Sequence, residues 1–164
     1  VEAQKSAIGG KLQGALFLTS TPAYGLYFTS SSGLDTYNNN NPFNKEFIYF
    51  GDSDNNNAFS DYFFCQNPGG GYECLDKINI TKGNYISLIE SYAGGTPTPR
   101  DSLSVIFKRP NSGAIFYFSP SDEGFAVVPE SGFDYMQITI LSSQGLQGPK
   151  AYIKVYPSGR IQIN

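Results

Sequence analysis

The chain contains no histidine and no tryptophan, one methionine and two cysteines among its 164 residues. Without histidine, a Ser-His-Asp triad, a Cys-His dyad and every histidine-containing zinc site are excluded. Two thiols alone do not complete a four-ligand zinc site. Charge is sparse as well: Asp, Glu, Lys and Arg make up 15% of the residues, and the 11 Lys and Arg are scattered, with only Lys108 and Arg109 adjacent. Nowhere do three basic residues cluster, and the net charge is −3 with a pI near 4.8. Nucleic acid and anionic membrane surfaces are bound by basic patches that displace counterions, so neither is an expected partner. No serine sits in a G-x-S-x-G elbow, and no signal peptide or membrane-spanning apolar run occurs between Val1 and Asn164. These exclusions remove histidine-dependent and elbow-serine catalysis, and no small-molecule substrate is an expected partner.

What is present favours β structure. Tyr and Phe number 12 and 13, Gly 18, and Asn, Ser and Thr fill the gaps between short apolar runs. Aromatic and β-branched runs punctuated by turn residues read as strands. A chain of this length buries about 70% of its unfolded surface, enough for one self-sufficient domain over 1–164.

The first 18 residues differ from the rest. Ala3, Ile8, Leu12, Ala15 and Leu16 recur at three- and four-residue spacing, with Gln4, Lys5, Lys11 and Gln13 between them. That stripe predicts an amphipathic helix about 27 Å long over 1–18, ended by Thr19-Ser20-Thr21-Pro22. It has no N-cap, and Gly9, Gly10 and Gly14 each weaken it by about 1 kcal/mol relative to Ala, so it needs a packing partner. The remaining residues, 19–164, predict a β-rich head. Strands are expected at 23–28, 46–50, 77–80, 85–90, 103–107, 114–118, 135–141, 151–156 and 160–163, with a short buried piece at 62–64. Hairpins are expected around Thr81-Lys82-Gly83-Asn84, Arg109–Gly113 and Pro157-Ser158-Gly159, and Gly94–Arg100 (GGTPTPR) as a breaker. The expected class is therefore α+β, with the N-terminal helix packed on antiparallel sheets of a sandwich-like head.

Several stretches carry candidate chemistry. Gly51–Asp61 (GDSDNNNAFSD) follows the apolar run Phe47–Phe50. Counted from Asp52, side-chain oxygens fall at positions one (Asp52), three (Asp54), five (Asn56) and ten (Asp61), and the Ala58 carbonyl at seven. Alternating oxygens in a tight loop are how Ca²⁺ loops collect ligands, although the glycine at six and the glutamate at twelve are missing. The other reading is a turn in which Asn and Asp satisfy their own backbone. Cys65 and Cys74 enclose QNPGGGYE. They form either a disulfide, worth about 2–3 kcal/mol and implying an oxidising compartment, or a pair of free structural thiols. The tyrosines offer either a carbohydrate or peptide platform or cross-strand packing pairs. Asp122 and Glu123 are adjacent on a turn and point apart, which suits a solvated loop better than acid/base work. Lys108, Arg109 and Lys150 are too few for a DNA track.

The opening Glu2–Ala7, the run Tyr24–Phe28, the acidic loop after an aromatic strand and the final AYIKVYPSGRIQIN together resemble the GspH/FimT-type minor pseudopilins, the type IV pilin-like subunits of pili and secretion systems. Tyr152–Ile163 matches the terminal hairpin of that family: a strand, a small-residue turn with Gly-Arg, and an isoleucine-rich last strand. The resemblance implies a non-enzymatic filament subunit. It also implies that 1–18 is the second half of a longer helix, whose missing apolar half anchors the precursor in the inner membrane. The implied partners are other pilin or pseudopilin subunits, and the implied location is the cell envelope or a surface filament. A secreted β-rich binding module, adhesin-like or carbohydrate-binding with or without Ca²⁺, is the alternative.

Overall fold

The computed structural model describes residues 23–31, 34–35, 41–52, 59, 73–108, 113–118, 128–129 and 132–164. Thirteen strands run through them: β1 (Ala23–Thr29), β2 (Leu34–Asp35), β3 (Asn41–Pro42), β4 (Glu46–Asp52), β5 (Cys74–Asn79), β6 (Tyr85–Ala93), β7 (Thr96–Arg100), β8 (Ser102–Phe107), β9 (Ala114–Phe118), β10 (Val128–Pro129), β11 (Tyr135–Leu141), β12 (Lys150–Val155) and β13 (Ile161–Ile163). The helical pieces among the described residues are the 3₁₀ turns Phe43–Lys45 and Gly145–Gln147. No helix among them is long and apolar enough to cross a membrane.

The α+β expectation is thereby corrected. The described residues are all-β, in two antiparallel sheets ordered β10-β9-β8-β1-β4-β5 and β13-β12-β11-β6-β7, with β2-β3 as a small ribbon. Residues 1–18, on which the helix was expected, lie outside the described residues. Among the described residues, strands pack against strands in two clusters, one on each face of the first sheet.

Side-chain alternation explains this arrangement. On β1, Tyr24, Leu26 and Phe28 face one way and Ala23 and Tyr27 the other. Phe47 and Tyr49 on β4, Leu103, Val105 and Phe107 on β8, and Phe116 and Phe118 on β9 share the first direction. There they meet Ile86 and Ile89 of β6, Met136 and Ile138 of β11 and Val155 of β12 from the second sheet. The period-2 pattern thus makes one inter-sheet core. The opposite face of the first sheet holds a second cluster: Ala23, Ile48, Phe50, Phe59, Cys74, Ile106 and Tyr117. Every residue of β8 is buried, as expected for a strand with both faces covered. Gly25 lies under the Phe50 ring: an added Cβ would strike that ring and come within 3.0 Å of the Val105 carbonyl oxygen.

Two local expectations fail for separable reasons. Gly94–Arg100 is not a breaker: Gly94 (φ 56°) and Gly95 (φ 81°) form a two-residue turn, and Thr96–Arg100 pairs with β6. In such a hairpin the flanking Ala93 and Thr96 face each other's hydrogen bonds, which leaves the nitrogens of Pro97 and Pro99 facing away from β6. Proline is tolerated there because no ladder donor is lost. The turn at Thr81–Asn84 does not close a hairpin either. Lys82 (φ 61°) and Gly83 (φ 73°) reverse the chain as the sequence suggests, but β5 belongs to the first sheet and β6 to the second. The β8–β9 and β12–β13 hairpins form as expected.

Candidate functional site

The two sheets do not close along one side. Between edge strands β5 and β13 lies an apolar cleft of about 400 Å³. Its floor is built from Leu26, Val105 and Ile138, and its mouth from Ile78 on β5 and Ile161 and Ile163 on β13. Ile163 is 71% exposed and Ile78 36%, although both belong to the inward-facing set. Their orientation follows from register: Val155 pairs with Ile161 and Ile153 with Ile163, so these four side chains share the face that Val155 buries. Asp76 is the one acidic or basic residue lining the cleft, beside the phenol of Tyr49. Such a lining favours binding an apolar surface over proton or group transfer.

The outer face of the second sheet carries a tyrosine row. Tyr92 and Tyr135 are opposite each other across β6 and β11, stacked with ring centroids 4.7 Å apart and planes 14° apart. Tyr156 continues the row at 5.5 Å from Tyr135. Lys154 Nζ lies 4.5 Å from the Tyr135 centroid, and Arg160 Cζ lies 3.7 Å from that of Tyr156. Beside the rings, Tyr92 Oη donates to Glu90 Oε2 at 3.2 Å and Gln137 Nε2 to the same oxygen at 3.4 Å. Burial, and then the charge and hydrogen bond of Glu90, raise the Tyr92 hydroxyl above the ordinary tyrosine range. Ring faces are thus taken up by neighbouring rings and cations rather than offered flat to a sugar. Of the two readings of the tyrosines, cross-strand packing describes this row.

The acidic stretch is only partly described. Asp52 ends β4 and is 1% exposed. Burial, and next the Asp52 charge, raise the Tyr117 hydroxyl above its ordinary range, which sets the carboxylate near that ring. Asp54, Asn56, Ala58 and Asp61, the other candidate Ca²⁺ ligands, lie outside the described residues. Among the described residues no group of three His, Cys, Asp or Glu could hold a metal. Within the same stretch Phe59 is an apolar anchor. It is 4% exposed, its ring lies 5.4 Å from both Tyr27 and Phe50, and its N–H donates to Ser104 Oγ at 3.4 Å.

Cys74, at the start of β5, is 1% exposed and disulfide-bonded. Cys65 lies outside the described residues, as do Tyr62–Phe64, Arg109, Asp122 and Glu123. Lys150 begins β12 and Lys108 follows β8, on different sheets.

Sequence reasoning missed the cleft. Its signal is faint: isoleucines two apart in KINI (Ile78, Ile80) and in IQI (Ile161, Ile163), on short strands far apart in the chain. Nothing in either segment announces that both are sheet edges. No family model, curated protein or solved structure matches the chain.

Proposed function

We propose that the chain is a non-enzymatic structural subunit of a type IV pilus or type II secretion-type filament. It assembles through its apolar-striped N-terminal segment, residues 1–18, with the two-sheet head exposed. Its partners are other pilin or pseudopilin subunits, and it works in the cell envelope or on a surface filament, from a membrane-anchored precursor.

The observation that carries the reading is the cleft. Some 400 Å³ of apolar space opens between the sheets, with Ile163 71% exposed at its mouth. Exposed apolar surface of this kind marks an interaction site. A lining with a single carboxylate supports packing against another apolar surface rather than chemistry. The hairpin β12–β13, which carries the sequence resemblance, forms one wall of the same cleft.

A second reading is a secreted binding module that holds a small apolar ligand, since the volume falls within the range of ligand pockets. Two observations separate them. Antibodies against the head should decorate envelope filaments by immunogold electron microscopy. The codons preceding Val1 should encode a short basic leader, a processing glycine and about 20 apolar residues, enough to span a bilayer. Undecorated filaments together with a conventional secretory signal would overturn the assembly reading.

A further inference from the structure

We propose that the open edge of β13 takes an extended segment of another polypeptide, one with apolar side chains at alternate positions and a lysine or arginine beside them. The inference deepens the assembly reading and rests on it.

The four sheet edges are not treated alike by the sequence. Away from the cleft, β7 presents Pro97 and Pro99 at the positions whose nitrogens face outward, and β10 ends in Pro129. A proline nitrogen cannot donate, and prolines are how edges are blocked against a further strand. The two edges that flank the cleft, β5 (CLDKIN) and β13 (IQI), contain none.

The hydrogen-bond phase of β13 sharpens the contrast. Tyr152 and Asn164 exchange both backbone hydrogen bonds, each at 3.0 Å. Narrow and wide pairs alternate along an antiparallel ladder, so Gln162 also bonds toward β12. Ile161 and Ile163 therefore direct their N–H and C=O groups away from the sheet, while their side chains line the cleft. One residue type at one position thus offers a backbone template and an apolar wall together. An incoming strand would pair with these groups and place every second side chain in the cleft, which is β-strand addition. A compact apolar ligand would fill the space but leave the outward backbone groups to water. Asp76 supplies the charge preference, since a carboxylate on the lining pairs best with a basic residue of the entering segment.

The test uses the full ¹⁵N-labelled chain and a synthetic eight-residue peptide alternating valine and threonine, with one terminal lysine. The control peptide carries proline at the threonine positions. Amide exchange at Ile161 and Ile163 should slow on adding the first peptide and not the second. Ile163→Pro removes one outward donor and leaves the pairing with β12 intact. It should weaken peptide binding about fivefold to tenfold, the scale of one net hydrogen bond, with the Met136–Thr139 resonances unchanged. Equal protection by the proline peptide would overturn the proposal. So would Ile161 and Ile163 amides already slow in the peptide-free chain, because the edge would then be covered by the chain itself. Peptide binding unchanged by Ile163→Pro, with filaments decorated in wild-type cells, overturns this inference and leaves the assembly reading standing. Undecorated filaments in wild-type cells together with a conventional secretory signal remove both.

Discussion

Val155→Phe tests whether the cleft is open space or packed core. Val155 is 5% exposed and lines the cleft wall from β12. A larger side chain forced into a close-packed interior costs about 1–3 kcal/mol through off-rotamer side chains and backbone shifts. One that enters unfilled apolar space instead gains about 0.8 kcal/mol per methylene-sized group removed from water, so about 1–2 kcal/mol is available here. The comparison is Ile106→Phe, since Ile106 is fully buried in the second cluster on the opposite face of the first sheet. With the wild type as reference, Val155→Phe should leave the urea midpoint unchanged or raised, while Ile106→Phe lowers it. In thermal unfolding 1 kcal/mol corresponds to about 2–4 °C for a chain of this size, so the two variants should differ by about 2–20 °C. The m-value should stay constant in both, as a change would mean altered compactness rather than stability. Equal losses in the two variants would show that the cleft is packed, and the binding argument would fail with it.

Three further outcomes follow from the packing and the buried groups. Gly25→Ala should destabilise by about 1–3 kcal/mol, because the added Cβ meets the Phe50 ring and the Val105 carbonyl; chemical denaturation measures it. Reducing the disulfide at buried Cys74 should lower stability by about 2–4 kcal/mol, read as a lower melting temperature in dithiothreitol. For pH, Tyr92 and Tyr117 both hold their protons more tightly in the folded state. The unfolded chain releases its tyrosine protons first, so this contribution is intact below about pH 10 and is lost as pH rises from there through the raised folded values. Unfolding free energy should therefore fall steeply above that point in the wild type and less steeply in Tyr92→Phe.

Much of the sheet framework is legible in the sequence because one-residue alternation is a strong signal. AYGLYF, EFIYF, LSVIF and YMQITIL each read as a strand, and the structure forms one at each. Prolines misled at β7, since a breaker and an edge strand with outward nitrogens look alike until the neighbouring strand is known. Turn chemistry misled at Lys82-Gly83, where positive φ reverses the chain but does not decide which sheet receives the next strand. The α half of the expected class rested on a three- and four-residue recurrence in a glycine-containing, uncapped stretch. The second sheet closes the inner face of the first, and Phe59 packs in the cluster on its outer face. The cleft was illegible for a topological reason, because it exists only where two edges from distant parts of the chain come side by side. In the acidic stretch the oxygens drew attention away from Phe59, which packs in the second cluster.

The central claim is that the apolar cleft between β5 and β13 meets another subunit. A photo-crosslinking amino acid at position 163, with a second one at exposed Gly95 as the comparison, tests it in the native cell envelope. The account predicts adducts from position 163 whose crosslinked peptides belong to a filament subunit, and none from position 95. Adducts confined to the same chain, or equal from both positions, would contradict it.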